Sequence, residues 1–168
     1  MSAPRVAVVM GVSGSGKTTL AQALAAAWPA TCLDADDFHS AAARARMASG
    51  LPLTDRMRAP WVRRLAQELQ RRTAAGERVV LAFSGLRRRH RDLLRATALP
   101  LHFLFLHGDA ALIAARMQAR SGHFMPASLL DSQFAALEDP GPEPDVSAVP
   151  VDLPLGEQLR RALAALGA

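Results

Sequence analysis

Gly11-Val12-Ser13-Gly14-Ser15-Gly16-Lys17-Thr18 fits G-x-x-x-x-G-K-[ST], and the sequence on both sides fits the setting in which that pattern binds phosphate. Before it, Arg5-Val-Ala-Val-Val-Met10 is a short β-branched apolar run of strand length; after it, Thr19-Leu-Ala-Gln-Ala-Leu-Ala-Ala-Ala-Trp28 is rich in helix formers. A strand, this loop and a helix in that order aim a helix N-terminus, with its free N–H groups and positive dipole end, at an anion. The glycines let successive backbone N–H groups turn inward, and Thr18 supplies a hydroxyl for Mg²⁺. Lys17 is the only lysine in 168 residues, against nineteen arginines. A compact ammonium on a flexible stem can sit between β- and γ-phosphate oxygens, where a planar guanidinium is too bulky. The loop therefore predicts binding of a nucleoside triphosphate through Gly11, Ser13, Gly14, Ser15, Gly16, Lys17, Thr18 and Thr19.

The length suits one domain over residues 1–168, and a hydrophobic content of 50% is enough for a core. No apolar stretch approaches the length of a membrane span, and Met1-Ser-Ala-Pro-Arg5 leads straight into the first strand. A soluble cytoplasmic protein without a signal peptide is the expectation. Cys32, the single cysteine, stands in the apolar run Thr31-Cys32-Leu33 and is expected to be a small core residue. A net charge of +5 and a pI near 11.1 raise the question of nucleic acid. However, Arg87-Arg-Arg-His-Arg91 is the only dense basic cluster, and no Tyr, two Trp and six Phe leave no stacking platform. Guanidiniums gathered around a cleft for anionic substrates explain the charge better.

Strand-like runs occupy residues 5–10, 30–34, 78–84, 101–106 and 148–152. Between them lie helical segments at about 17–28, 40–49, 60–75, 89–97, 109–119, 126–137 and 155–166. Gly50 and Gly76 fall where helix C-termini need them, and Asp109 is placed to cap the helix after the fourth strand. Alternating strands and helices imply an α/β fold, a doubly wound five-stranded parallel sheet with helices on both faces.

Chemistry in such a sheet collects at the carboxyl ends of the strands. After the second strand, Leu33-Asp34-Ala35-Asp36-Asp37-Phe38-His39 reads as extended, which would point Asp34 and Asp36 into one cleft beside the phosphate loop. One carboxylate would order water around Mg²⁺ and the other accept a proton from a substrate hydroxyl; which does which stays open. Asp37 is expected to cap the helix near Ser40. After the third strand, Arg87, Arg91 and Arg95 share a helical face on which an acidic substrate could be held, with Arg89 left to solvent. His90-Arg91-Asp92-Leu93 imitates the start of a protein-kinase catalytic loop, but the chain has no asparagine and no Asp-Phe-Gly. His90 is expected to pack or to support neighbouring groups. Arg116 and Arg120, one turn apart before Ser121-Gly122-His123-Phe124, suggest a small lid over about 117–130 that neutralises developing charge.

Further segments carry a resemblance. They include Met47-Ala-Ser-Gly50, Leu51-Pro-Leu-Thr-Asp55, Arg58-Ala-Pro-Trp61, Ser84-Gly-Leu-Arg-Arg88, Arg120-Ser-Gly-His-Phe124 and Gln133-Phe134. With the phosphate loop and Leu33–His39, they resemble the bacterial-type gluconate kinase family over about residues 5–152. These are small P-loop kinases related to shikimate and adenylate kinases. The family pattern has glycine at 35, acidic residues at 56 and 57, lysines at 87 and 88 and tyrosine at 90, where this chain has Ala35, Arg56, Met57, Arg87, Arg88 and His90. The resemblance implies a P-loop kinase domain in which ATP, with Mg²⁺, phosphorylates the 6-hydroxyl of D-gluconate, and it suggests a homodimer. It implies Asp36 or Asp34 as base, Arg58 with Arg87 or Arg88 as carboxylate clamp, and His39 and His123 on the substrate side. Lys17, Arg116 and Arg120 would then serve the phosphoryl group. A kinase for shikimate or another sugar acid would share every phosphate-side residue. A non-catalytic nucleotide- or RNA-binding NTPase is the remaining alternative.

Overall fold

The computed structural model describes residues 2–119 and 127–168. In chain order it contains β1 (Val6–Met10), α1 (Lys17–Ala27), β2 (Thr31–Asp34), a 3-10 turn (Ala35–Phe38), α2 (Ala41–Ala48), α3 (Asp55–Ala74) and β3 (Val79–Ala82). There follow α4 (Arg88–Arg95), β4 (Leu101–His107), α5 (Ala110–Ala119), α6 (Ala127–Ala136), β5 (Val146–Pro150) and α7 (Leu155–Ala165). The five strands pair in parallel in the order β2-β3-β1-β4-β5.

Strand alternation builds two cores. Ala7 and Val9 pack with Leu20 and Leu24 of α1 and Ala162 of α7 on one face. Val6, Val8 and Met10 pack on the other with Trp61, Leu65 and Leu69 of α3 and Leu94 of α4. Every residue of β1 is fully buried, as a central strand covered on both faces requires. The edge strand β2 pairs only with β3. Its position corrects one expectation: Cys32 is exposed rather than in the core.

Local chemistry sets the element ends. Gly50 and Gly76, with φ of 85° and 88°, terminate α2 and α3, and Asp109 Oδ1 accepts from the Leu112 N–H at 2.8 Å. Helix α3 starts at Asp55, five residues before the expected start at Pro60. The Thr54 hydroxyl caps it by accepting from the Met57 N–H at 3.2 Å. Ser40, not Asp37, caps α2, its Oγ accepting from the Ala43 N–H at 3.1 Å. Much of the lid expected over 117–130 falls on residues 120–126, outside the described residues.

Arg91 and Arg95 do not offer the helical face on which a substrate was expected to sit. Arg91 is wholly buried. It donates to Glu143 Oε1 at 3.0 Å and to the carbonyls of Gly85 and Glu138 at 2.5 and 3.1 Å. Arg95 pairs with Asp145 through bonds of 2.8 and 2.7 Å. These guanidiniums tie the turn after β3 to the stretch before β5.

Arg91→Ala should therefore destabilise the protein by on the order of 3 kcal/mol in urea unfolding, because it leaves the buried Glu143 carboxylate with Arg95 alone, 2.6 Å away, and takes the donor from the carbonyls of Gly85 and Glu138. Arg95→Ala should cost less, since Asp145 reaches solvent. The reverse order would overturn Arg91 as the hub.

Candidate active site

The loop after β1 is shaped by contacts that exclude side chains. A Cβ on Gly14, at φ 80°, would lie 2.3 Å from Met117 Cγ of α5. Gly16, at φ 95°, leads directly into α1, so the helix N-terminus faces the loop. Lys17 Nζ donates to the Val12 carbonyl at 3.0 Å, holding the ammonium across the loop.

A cavity of about 480 Å³ opens at the carboxyl ends of the central strands. It brings together Ser13, Gly14, Gly16, Lys17, Thr18, Asp34, Asp36, His39 and Arg58 from the sequence reading. Thr18 Oγ1 donates to Asp34 Oδ2 at 3.2 Å, and Asp34 Oδ1 accepts from the Asp36 N–H at 2.9 Å. Asp34 thus caps the 3-10 turn, and Asp36 enters the cavity from that turn rather than from the extended segment expected. Two hard oxygens side by side suit a small divalent cation that keeps water and phosphate oxygens as its other ligands. Among the described residues no three His, Cys, Asp or Glu side chains cluster as a cage of their own.

Asp36 is 80% exposed, with Oδ1 3.5 Å from His39 Nε2. The His39 hydrogen bond, followed by the charge of Lys17, keeps the Asp36 carboxyl below the usual range, so it is ionised at neutral pH. His39 is itself immobilised: it stacks on Trp61 at 4.1 Å, and Trp61 Nε1 donates to the Ala35 carbonyl at 2.7 Å. The sequence reading gave Trp61 no role. Its only signals were the Arg58-Ala-Pro-Trp61 segment and the scarcity of tryptophan.

Arg58 projects from the first turns of α3, and burial followed by the Arg87 charge makes it less basic than usual. Asp55, also unassigned from sequence, is the counterion there. It lies 3.7 Å from Arg58 Nη1 and 3.9 Å from His90 Nε2, and it pairs with Arg89, which was expected to face solvent alone. Arg87 stands behind Arg58, its Nη1 3.8 Å from Glu138 Oε1, and does not line the cavity. Arg88 turns away, its Nε 3.8 Å from Asp92 Oδ2. His90 is buried among these groups. Burial, followed by the charges of Arg58, Arg89 and Arg87, pushes its pKa down to about 4.

A second cavity of about 460 Å³ lies across Gly14 and Gly16, lined by Ser15, Thr19, Arg116 and Leu153–Leu155. Gln158 pins that wall, donating to the carbonyls of Pro150, Val151 and Leu153 at 3.3, 3.4 and 3.2 Å. Gly11 supports the loop from beneath without lining either cavity. Arg120 and His123 lie outside the described residues.

A family model described as an AAA domain matches residues 6–140. The thermosensitive gluconokinase of Escherichia coli (strain K12) is 41% identical over 163 residues, 95% of this chain and 87% of that protein. The gluconokinase of Gluconobacter oxydans (strain 621H) is 44% identical over 87% of this chain and 82% of its own length. The crystal structure of a gluconokinase from Sinorhizobium meliloti 1021 superposes with a TM-score of 0.90 at 43% identity, covering 99% of this chain and 94% of that one.

The buried imidazole makes stability pH-dependent in a defined direction. The folded protein keeps His90 neutral down to about pH 4, whereas the unfolded chain takes up the proton near the ordinary imidazole value of 6.5. The His90 contribution is thus complete above the unfolded value and lost as pH falls towards 4, by on the order of 3 kcal/mol. Urea unfolding of wild type against His90→Phe should show a gap between their stabilities that changes across this window. A constant gap would contradict a buried neutral His90.

Proposed function

The chain belongs to the gluconokinase family, and we propose that it transfers the γ-phosphoryl group of ATP to the 6-hydroxyl of D-gluconate, giving 6-phospho-D-gluconate. The reading rests on one juxtaposition: Lys17 and Thr18 line the same cavity as Asp36 and Arg58. A sugar acid carries a carboxylate at one end and a primary alcohol at the other. It needs an anion clamp and a base separated within one cleft, with the phosphate loop beside the base.

The phosphate loop, with its N–H groups and Lys17, holds the triphosphate and opposes the charge that develops on the moving phosphoryl. Thr18 would hold Mg²⁺ directly and Asp34 through water; the ion supplies neutralisation of the phosphate oxygens. Asp36, ionised and oriented by His39, accepts the proton of the 6-hydroxyl as it attacks. Arg58 with Arg87 behind it receives the carboxylate, and His39 and His123 bind substrate hydroxyls. Arg88, exposed and facing Asp92, takes no part in the clamp. Arg116, with Thr19 and Ser15 at the second cavity, completes the nucleotide side, and Arg120 would serve the phosphoryl group with it. The partners are small molecules rather than nucleic acid. No helix among the described residues is long and apolar enough to cross a membrane, and we take the enzyme to act in the cytoplasm as a homodimer.

Release of ADP should be measured with gluconate, shikimate, nucleoside monophosphates and RNA as acceptors. Turnover with gluconate alone is expected; turnover only with another acceptor would reassign the substrate. Arg58→Ala should raise the KM for gluconate about tenfold or more, a loss of about 1.4 kcal/mol, with the KM for ATP nearly unchanged. Weakened ATP with normal gluconate would move Arg58 to the nucleotide side. Asp36→Asn should lower kcat by about a hundredfold or more while ATP binding persists. Wild-type turnover in that variant would remove Asp36 as base.

A further inference from the structure

We propose that Gln133 of α6 is a positioning residue for the phosphate loop, orienting the Ser13 hydroxyl as a donor to the terminal phosphate of ATP. The inference rests on reading the chain as an ATP-dependent kinase. Its basis is a two-point contact between residues 120 positions apart. Gln133 Oε1 accepts from the Ser13 backbone N–H at 2.7 Å, and Gln133 Nε2 donates to Ser13 Oγ at 3.0 Å. Both residues line the larger cavity together with Lys17.

The contact fixes where protons go. A backbone N–H can only donate, so the carboxamide must turn its oxygen to Ser13 N and its amino group to Ser13 Oγ. A serine hydroxyl has one proton and two lone pairs. With Gln133 donating into one lone pair, the Ser13 proton is left for an acceptor arriving in the cavity. Lys17 marks which acceptor that is. Its ammonium is held at 3.0 Å by the carbonyl of Val12, the residue preceding Ser13, and in a loop of this kind the ammonium reaches the β- and γ-phosphates. Ser13 therefore stands at the terminal-phosphate end, and its backbone N–H, already bonded to Gln133, is not the donor there. A phosphate present in ATP and absent from ADP meets the hydroxyl that Gln133 has aimed.

This gives Gln133 a signature that a simple brace would lack, namely the ratio of ATP to ADP affinity. Loosening of the loop weakens both nucleotides and cancels in the ratio; loss of an oriented donor does not. Gln133→Glu presents two acceptors, which draws the Ser13 proton away from the cavity and adds a negative charge beside the phosphates. Gln133 is only partly buried, so its variants open no sealed void.

Calorimetric titration with ATP and with ADP, each in excess Mg²⁺, tests the assignment. Gln133→Glu should lower the ATP-to-ADP affinity ratio about tenfold or more. Ser13→Ala, which removes only the hydroxyl, and Gln133→Met should each lower it about threefold. In the Ser13→Ala background, Gln133→Met should leave the ratio where Ser13→Ala put it. An unchanged ratio in Gln133→Glu, or a further fall in the double variant, would overturn the proposal. A wild type that shows the ATP preference and this pattern of ratios but leaves gluconate unmodified would overturn the substrate reading and leave Gln133 in its role.

Discussion

The loop between β1 and α1 passes so close to its surroundings that side chains are excluded from its turning points. A Cβ on Gly11 would sit 2.8 Å from the Leu106 carbonyl of β4 and 2.8 Å from Ser15 Oγ, and one on Gly14 would enter Met117 of α5. The Gly11 N–H bonds to the Ser84 carbonyl at 3.2 Å, which ties the end of β1 to the turn after β3. Three strand ends and a helix thus meet on one short backbone segment. Because all five strands run in parallel, the carboxylates after β2, the turn after β3 and the wall after β5 emerge at the same edge as this loop. The cavities on its two sides follow from that packing.

Charge is distributed with equal economy. Arg91 and Arg95 are neutralised by Glu143 and Asp145, and Glu68 bridges Arg71 and Arg72. Around Arg58 the balance is different: Arg58 and Arg89 share Asp55, Arg87 reaches Glu138 only at 3.8 Å, and His90 is held neutral among them. Burial and like charge both disfavour that arrangement. A carboxylate entering beside Arg58 would relieve its repulsion by Arg87, which would add to the binding energy of an acid. The same argument explains why a neutral imidazole fits at position 90, where a further positive charge would be opposed by three guanidiniums.

The fold was legible because its signals are local. Gly16-Lys17 opening a helix, Gly76 closing one, and the apolar runs of β1, β3 and β4 each declare themselves within a few residues. What failed did so where the partner lies far along the chain. Cys32 sits in an apolar run, but strand order, which no short window contains, put β2 at the sheet edge. The third helical segment was expected at about 60–75, since proline is rarely found inside a helix. Thr54 caps that helix ahead of Asp55, and Pro60 lies within it.

The site shows the same division more sharply. Lys17, Thr18, Asp34 and Asp36 carry their chemistry in sequence, since a phosphate loop and paired carboxylates are defined by spacing. The arginines do not. Arg87, Arg91 and Arg95 have identical charge and helical spacing, yet Arg91 is buried against Glu143, 52 residues away, while Arg87 stands near Arg58. Spacing along a helix says which side chains share a face but not whether that face meets solvent, a substrate or a carboxylate from another segment. A guanidinium is recognisable in sequence; its counterion is chosen by topology. Gln133 was passed over for the same reason, because a carboxamide has no chemistry of its own until the fold brings Ser13 to its two ends.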